Sequence, residues 1–191
     1  MEPRDFVRLL KPHADMVHQR TGIPVEVMLA QAALETGWLT RTVKDRVTGR
    51  DSLNLFNIKG EGPAGSVTAS VVEYVKGRKV WQDARFRAYN SYEESFEDYA
   101  SLIAEAPRYA PAMAVRDNPV AFAWQLQSSG YATDPNYAKK LVAVMQQNIR
   151  PYLEAEDEED KEEEEEEEEE EQAENAAPPE EPRSTGQEPA V

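Results

Sequence analysis

No cysteine occurs in this 191-residue chain, which excludes disulfide staples, thiolate nucleophiles and cysteine-ligated zinc. The absence leaves the redox compartment open, because a cysteine-free chain tolerates either. Histidine is almost as scarce, with only His13 and His18. They lie five apart on a charged amphipathic stretch and form no HExxH or similar zinc pattern. An exposed or partly packed place is favoured for them over metal binding, and no metal is expected. No glycine-rich phosphate loop is present. No apolar run reaches the roughly 20 residues of a membrane-spanning helix. The opening MEPRDFVRLLKPHADMV carries charges at Glu2, Arg4, Asp5, Arg8 and Lys11 and has no apolar core of a cleavable signal peptide. The expectation is a protein made in the cytoplasm, not inserted in a membrane, whose work outside the cell needs an export route not written here. Basic runs are missing as well, which disfavours nucleic acid as a partner.

What the chain has in excess is acid, and it is unevenly placed. Residues 154–191 hold 20 acidic and 2 basic side chains, with unbroken glutamate from Glu162 to Glu171. Residues 1–153 keep 17 acidic and 19 basic ones, so the net charge of −16 belongs to the tail. A like-charge block with no apolar period cannot offset its ordering entropy by burial. The expected division is a folded domain over 1–153 and a disordered glutamate-rich tail over 154–191. About 150 residues bury roughly two-thirds of the unfolded chain's surface, enough for a core without staples, and a monomer is expected.

Within 1–153, Phe6, Leu9, Leu10, Ala14 and Val17 recur at helical spacing, with Pro12 placed to kink that helix. Gly22 and Pro24 punctuate before a second helix, about Pro24 to Leu34 or Glu35, apolar on most sides and therefore expected to be buried. Two β-rich runs, VTASVVEYV and VWQDARFRAY, flank a turn at Lys76 to Lys79 with Gly77 as turn residue and predict a hairpin. Ser91 with Glu94 three residues on reads as a capping box. Asn118-Pro119 and Asp134-Pro135 read as two further helix starts. The order predicts an α+β domain, mainly helical, with a small β-hairpin lobe.

Three features carry candidate chemistry. Glu35 ends the apolar helix, and a carboxyl in apolar surroundings has its charged form disfavoured. That is what a general acid for glycosidic cleavage requires. Periodicity alone slightly favours a wet-face residue instead. Glu73 sits in VVEYV, either as the solvent-facing residue of an alternating strand or as a second carboxylate presented to a cleft. GYATDPNY holds Tyr131, packed or pointed into a cleft, and Asp134, which a helix cap explains.

AQAALETGWLT, SLNLFNIKG, VVEYVKG, FRAYNSYEESFEDYASLI and GYATDPNYAKKL occur in this order. Together they resemble the glucosaminidase domain of glycoside hydrolase family 73, of the kind joined to flagellar proteins, over roughly Phe6 to Ile149. The resemblance implies a lysozyme-like fold and cleavage of the β-1,4 bond from N-acetylglucosamine to N-acetylmuramic acid in peptidoglycan, without cofactor. It reverses the pattern-only readings of both glutamates. Glu35 falls on the family's acid, Glu73 on a second carboxylate in the β-lobe, and Tyr131 on a tyrosine near the cleft. Trp38, Asn54, Phe56 and Tyr137 lie in the same motifs and form the expected substrate-binding set. Inversion through activated water and participation by the substrate acetamido group both stay open. So do a lytic transglycosylase or muramidase of the same fold, and a non-catalytic glycan-binding component of a flagellum or phage particle. Two positions depart from the family pattern: Leu39 and Asn57 stand where it often has glycine.

Overall fold

A computed structural model describes residues 1–75, 78–156, 158 and 161, and of 72–75 and 78–79 the backbone alone. The expected hairpin turn at Lys76–Gly77 and nearly all of the expected tail lie outside the described residues. One compact unit spans Met1–Ala155, and Tyr152 and Leu153 pack on its core.

The domain is mostly helical, with one two-stranded sheet. Helix α1 (Pro3–Thr21) runs through Pro12 and buries Phe6, Val7, Leu10, Ala14 and Val17. Val7 thus takes the place expected for Leu9, which is exposed. Helix α2 (Val25–Thr36) buries every residue from Val27 to Ala33. Each fully buried Val, Leu or Met side chain there contributes roughly 1.5–3 kcal/mol, so α2 is the central post of the fold. Arg150 clamps its first turn to the end of the core, its guanidinium donating twice to the Glu26 carboxylate.

Strands β1 (Ser66–Val75) and β2 (Arg78–Arg87) pair antiparallel, Ser66 opposite Arg87 and Val75 opposite Arg78. Strand β2 ends before the expected Ala88 and Tyr89. The hairpin has its own small core of Val67, Phe86 and Ala88. Its base is tied to helix α3 (Tyr92–Glu105) by Arg87, which donates to both Asp98 oxygens at 2.7 Å, and by Tyr89, whose hydroxyl donates to Asp98 at 2.6 Å. Burial, then this hydrogen bond, pushes the Tyr89 hydroxyl well above the usual phenol range.

Ser91 caps α3, accepting from Glu94 N–H at 3.2 Å. The reciprocal half of the expected box is displaced by one residue, because the Glu94 carboxylate takes the Asn90 N–H. A 3-10 turn (Pro107–Tyr109) and the short α4 (Ala110–Met113), absent from the sequence reading, precede α5 (Pro119–Ser128). Asn118 caps α5 as expected. Helix α6 (Tyr137–Val144) continues into a π-helical turn, Met145–Ile149. Asp134 does not cap α6, which begins after Asn136. Its carboxylate instead takes the Asn136 N–H at 2.9 Å and the Lys140 ammonium at 2.6 Å, bracing the loop ahead of the helix. His13 is partly buried and stacks on Phe96, whereas His18 is exposed with a ring nitrogen 2.9 Å from the Ile23 carbonyl.

Candidate active site

Glu35 sits in the last turn of α2, half-buried, where the helix emerges from the core. Gly37 ends the helix at φ +56°, and Trp38 and Leu39 follow at φ +60° each. Two consecutive non-glycine residues in the left-handed region each cost on the order of 1 kcal/mol. They are held by the helix end itself: Trp38 N–H donates to Ala33 O at 3.1 Å and Leu39 N–H to Thr36 Oγ1 at 3.0 Å.

A second loop, residues 51–58, arrives beside Glu35 and is organised by its own side chains and by Ser95 of α3. Asp51 Oδ1 takes the Leu53 N–H, Ser52 Oγ the Asn54 N–H, and Ser95 Oγ the Leu55 N–H. Asn54 is fully buried at its centre. Its Nδ2 donates to Ile58 O and Arg87 O, both at 2.9 Å, and its Oδ1 accepts from Phe56 N–H and Ile58 N–H. All four hydrogen bonds open to an asparagine side chain are spent inside the protein. The loop thereby delivers Asn57, at φ +52°, against Glu35. Asn57 Nδ2 donates to Glu35 Oε2 at 2.9 Å and to the Glu35 main-chain oxygen at 3.3 Å. Burial raises the Glu35 carboxyl above its ordinary range, and the Asn57 hydrogen bond partly opposes it.

One helical turn before Glu35 on the same face, Gln31 is fully buried. Its Nε2 donates to the Tyr137 hydroxyl at 2.9 Å, and its Oε1 accepts from the Tyr99 hydroxyl. Tyr99 stacks on Phe56 at 4.1 Å, and Tyr131 stacks on Tyr137 at 5.7 Å. Burial among these rings lifts the Tyr131 hydroxyl well above the phenol range, with Glu35 a further contributor. Tyr131 itself remains partly exposed. Its loop is pinned by Arg108, whose guanidinium donates to Ser129 O and Gly130 O.

These positions redraw the expected substrate-binding set. Asn54, Phe56 and Tyr137 are interior residues, the first saturated with hydrogen bonds and the other two 4% and 6% exposed. They build the floor and the loop beneath Glu35. Trp38 keeps a partly exposed ring, packed edge-on against Phe6 at 5.1 Å. Glu73 stands in register opposite Val80, at the same strand parity as Val67, Ala69 and Val71, and its side chain lies outside the described residues. Sequence reading missed Gln31 and the Asn57–Glu35 bond. A lone amide four residues before a candidate acid, in an otherwise apolar helix, is the signal that was there to be used for Gln31.

The family model described as mannosyl-glycoprotein endo-beta-N-acetylglucosaminidase matches residues 11–150. The peptidoglycan hydrolase FlgJ of Salmonella typhimurium is 39% identical over 150 residues, covering 76% of this chain and 47% of FlgJ. The exo-glucosaminidase LytG of Bacillus subtilis is 31% identical over 151 residues, covering 76% of this chain and 51% of LytG. The chain therefore spans about half the length of these curated relatives. A crystal structure of a peptidoglycan hydrolase from Sphingomonas sp. A1 superposes with a TM-score of 0.66 at 43% identity, covering 80% of this chain and 94% of that one.

Proposed function

The chain belongs to the endo-beta-N-acetylglucosaminidase family, and from that premise we propose that it hydrolyses the β-1,4 bond from N-acetylglucosamine to N-acetylmuramic acid in peptidoglycan, with Glu35 as general acid. The observation that carries the reading is a half-buried carboxyl, raised by burial, in the last turn of a helix whose residues from Val27 to Ala33 are all buried. A neutral carboxylic acid there donates its proton to the glycosidic oxygen as the C1–O bond breaks, and leaves a carboxylate behind. Water forms the new bond to C1 and gives up a proton. Glu73 takes that proton or stabilises the oxocarbenium-like centre, and Tyr131 orients the water or the substrate's N-acetyl group. Exchange with solvent restores both carboxyls. Relatives named as peptidoglycan hydrolases support the substrate. They also support action at the cell wall or in the periplasm, with the flagellum as one setting.

Purified chain incubated with sacculi is expected to release soluble glycan fragments, read as falling turbidity and rising reducing sugar. Binding to sacculi with no soluble sugar at any pH from 4 to 9 would replace this reading with that of a non-catalytic glycan-binding module.

A further inference from the structure

Asn57 is joined to the site by geometry that nothing else in the loop requires. Its Nδ2 faces two oxygens of one residue, Glu35 Oε2 and Glu35 O. Its Oδ1 is buried and meets no hydrogen-bond partner among the described residues. Turning the amide over would set Oδ1 against the Glu35 main-chain oxygen, a contact between two acceptors. The orientation is therefore dictated by Glu35, at the expense of the amide's own oxygen. The backbone agrees: Asn57 holds φ +52°, a conformation asparagine tolerates better than most residues, and Asn54 fixes the two flanking N–H groups, of Phe56 and Ile58.

We propose that Asn57 is a positioning residue for Glu35, marking Oε2 as the oxygen without the proton so that Oε1 carries it toward the glycosidic oxygen. A carboxylic acid has one hydroxyl and one carbonyl oxygen, and a fixed N–H donor is compatible with the carbonyl one only. After transfer the same N–H faces a full carboxylate and binds it more strongly. Asn57 thus favours departure of the proton as well as its placement. The proposal rests on the reading of Glu35 as the acid.

The test replaces Asn57 by leucine, close in size and apolar, in a position whose φ this chain already accepts at Leu39 and Leu53. Glycine, suited to φ +52°, serves as the second variant should leucine not fold. Two measurements are made on the full chain: titration of the Glu35 side-chain carboxyl by 13C NMR, assigned by its loss in Glu35→Gln, and the pH profile of kcat on sacculi. With the donor gone, Glu35 is expected to titrate at higher pH than in the parent. The alkaline limb of the profile moves up with it, and kcat at the optimum falls between about tenfold and a hundredfold. A Glu35 titration that stays put or moves down, in whichever variant folds, overturns the proposal. A titration that moves up while the activity profile stays fixed upholds the Asn57–Glu35 coupling and sinks instead the assignment of Glu35 as the acid.

Discussion

Glu35→Gln is expected to lower turnover of peptidoglycan by roughly a hundred- to ten-thousand-fold while making the protein more stable at neutral pH. The first effect follows from chemistry. Glutamine keeps the shape of the acid and an oxygen to accept the Asn57 N–H, but has no proton to give to a leaving alkoxide. The second follows from linkage. The folded-state pKa of Glu35 is raised above its ordinary 4.5, mainly by burial. Between those two values the native state holds a proton that the unfolded state has released, so stability falls as pH rises through the folded pKa. Below about 4.5 both states are protonated and the penalty is absent. Glutamine does not titrate, so its melting temperature should match the parent's at pH 4 and exceed it at pH 8. Paired thermal melts at the two pH values check this. Turnover surviving in the variant would remove Glu35 from the acid role, and an unchanged difference in melting temperature would show that its carboxyl is not desolvated.

Asn54→Ala carries the largest expected effect on stability. Alanine strands the buried Phe56 N–H and the partly buried Ile58 N–H and Arg87 carbonyl that Asn54 now satisfies. The Ile58 carbonyl keeps one partner, the Arg87 N–H. A buried backbone group left without a partner costs about 1–3 kcal/mol. With partial relaxation the sum is about 3–5 kcal/mol, at the upper end for a single substitution. In a domain of this size that lowers the melting temperature by about 10 °C. Activity should fall too, because the same loop presents Asn57 to Glu35. Urea unfolding followed by circular dichroism measures the loss. A change under about 1 kcal/mol together with a raised KM would mean that Asn54 meets the glycan directly, against its burial here.

Helix order and the hairpin were legible because each has a local cause. An apolar period marks α1 and α2, β-branched runs mark the strands, and Ser91 and Asn118 cap the helices they precede. Glu35 closes an apolar run, but periodicity alone slightly favoured a wet-face residue there, and only the four further motifs in order made it the candidate acid. What was not legible depends on contacts distant in sequence. Asn54 and Phe56 lie in a motif that reads as ligand-facing, yet Asn54 is consumed by Ile58 and Arg87, and Phe56 by the ring of Tyr99. Tyr137 is claimed by Gln31, 106 residues away in the chain. The Asp134-Pro135 pair carried a cap signal, but an Asx turn to Asn136 N–H and an ion pair with Lys140 satisfied the carboxylate before the helix began. Leu39 and Asn57, noted only as replacements for glycine, both occupy the left-handed region. The replacement at 57 put an amide on the candidate acid.

The most direct test of the account is the identity of the sugar at the new chain ends. Sacculi digested by the purified chain, reduced with borohydride and analysed by mass spectrometry, should yield N-acetylglucosaminitol as the newly reduced end. N-acetylmuramitol would make the enzyme a muramidase, and 1,6-anhydro-N-acetylmuramic acid ends would make it a lytic transglycosylase. Either result would contradict the hydrolysis proposed for this site.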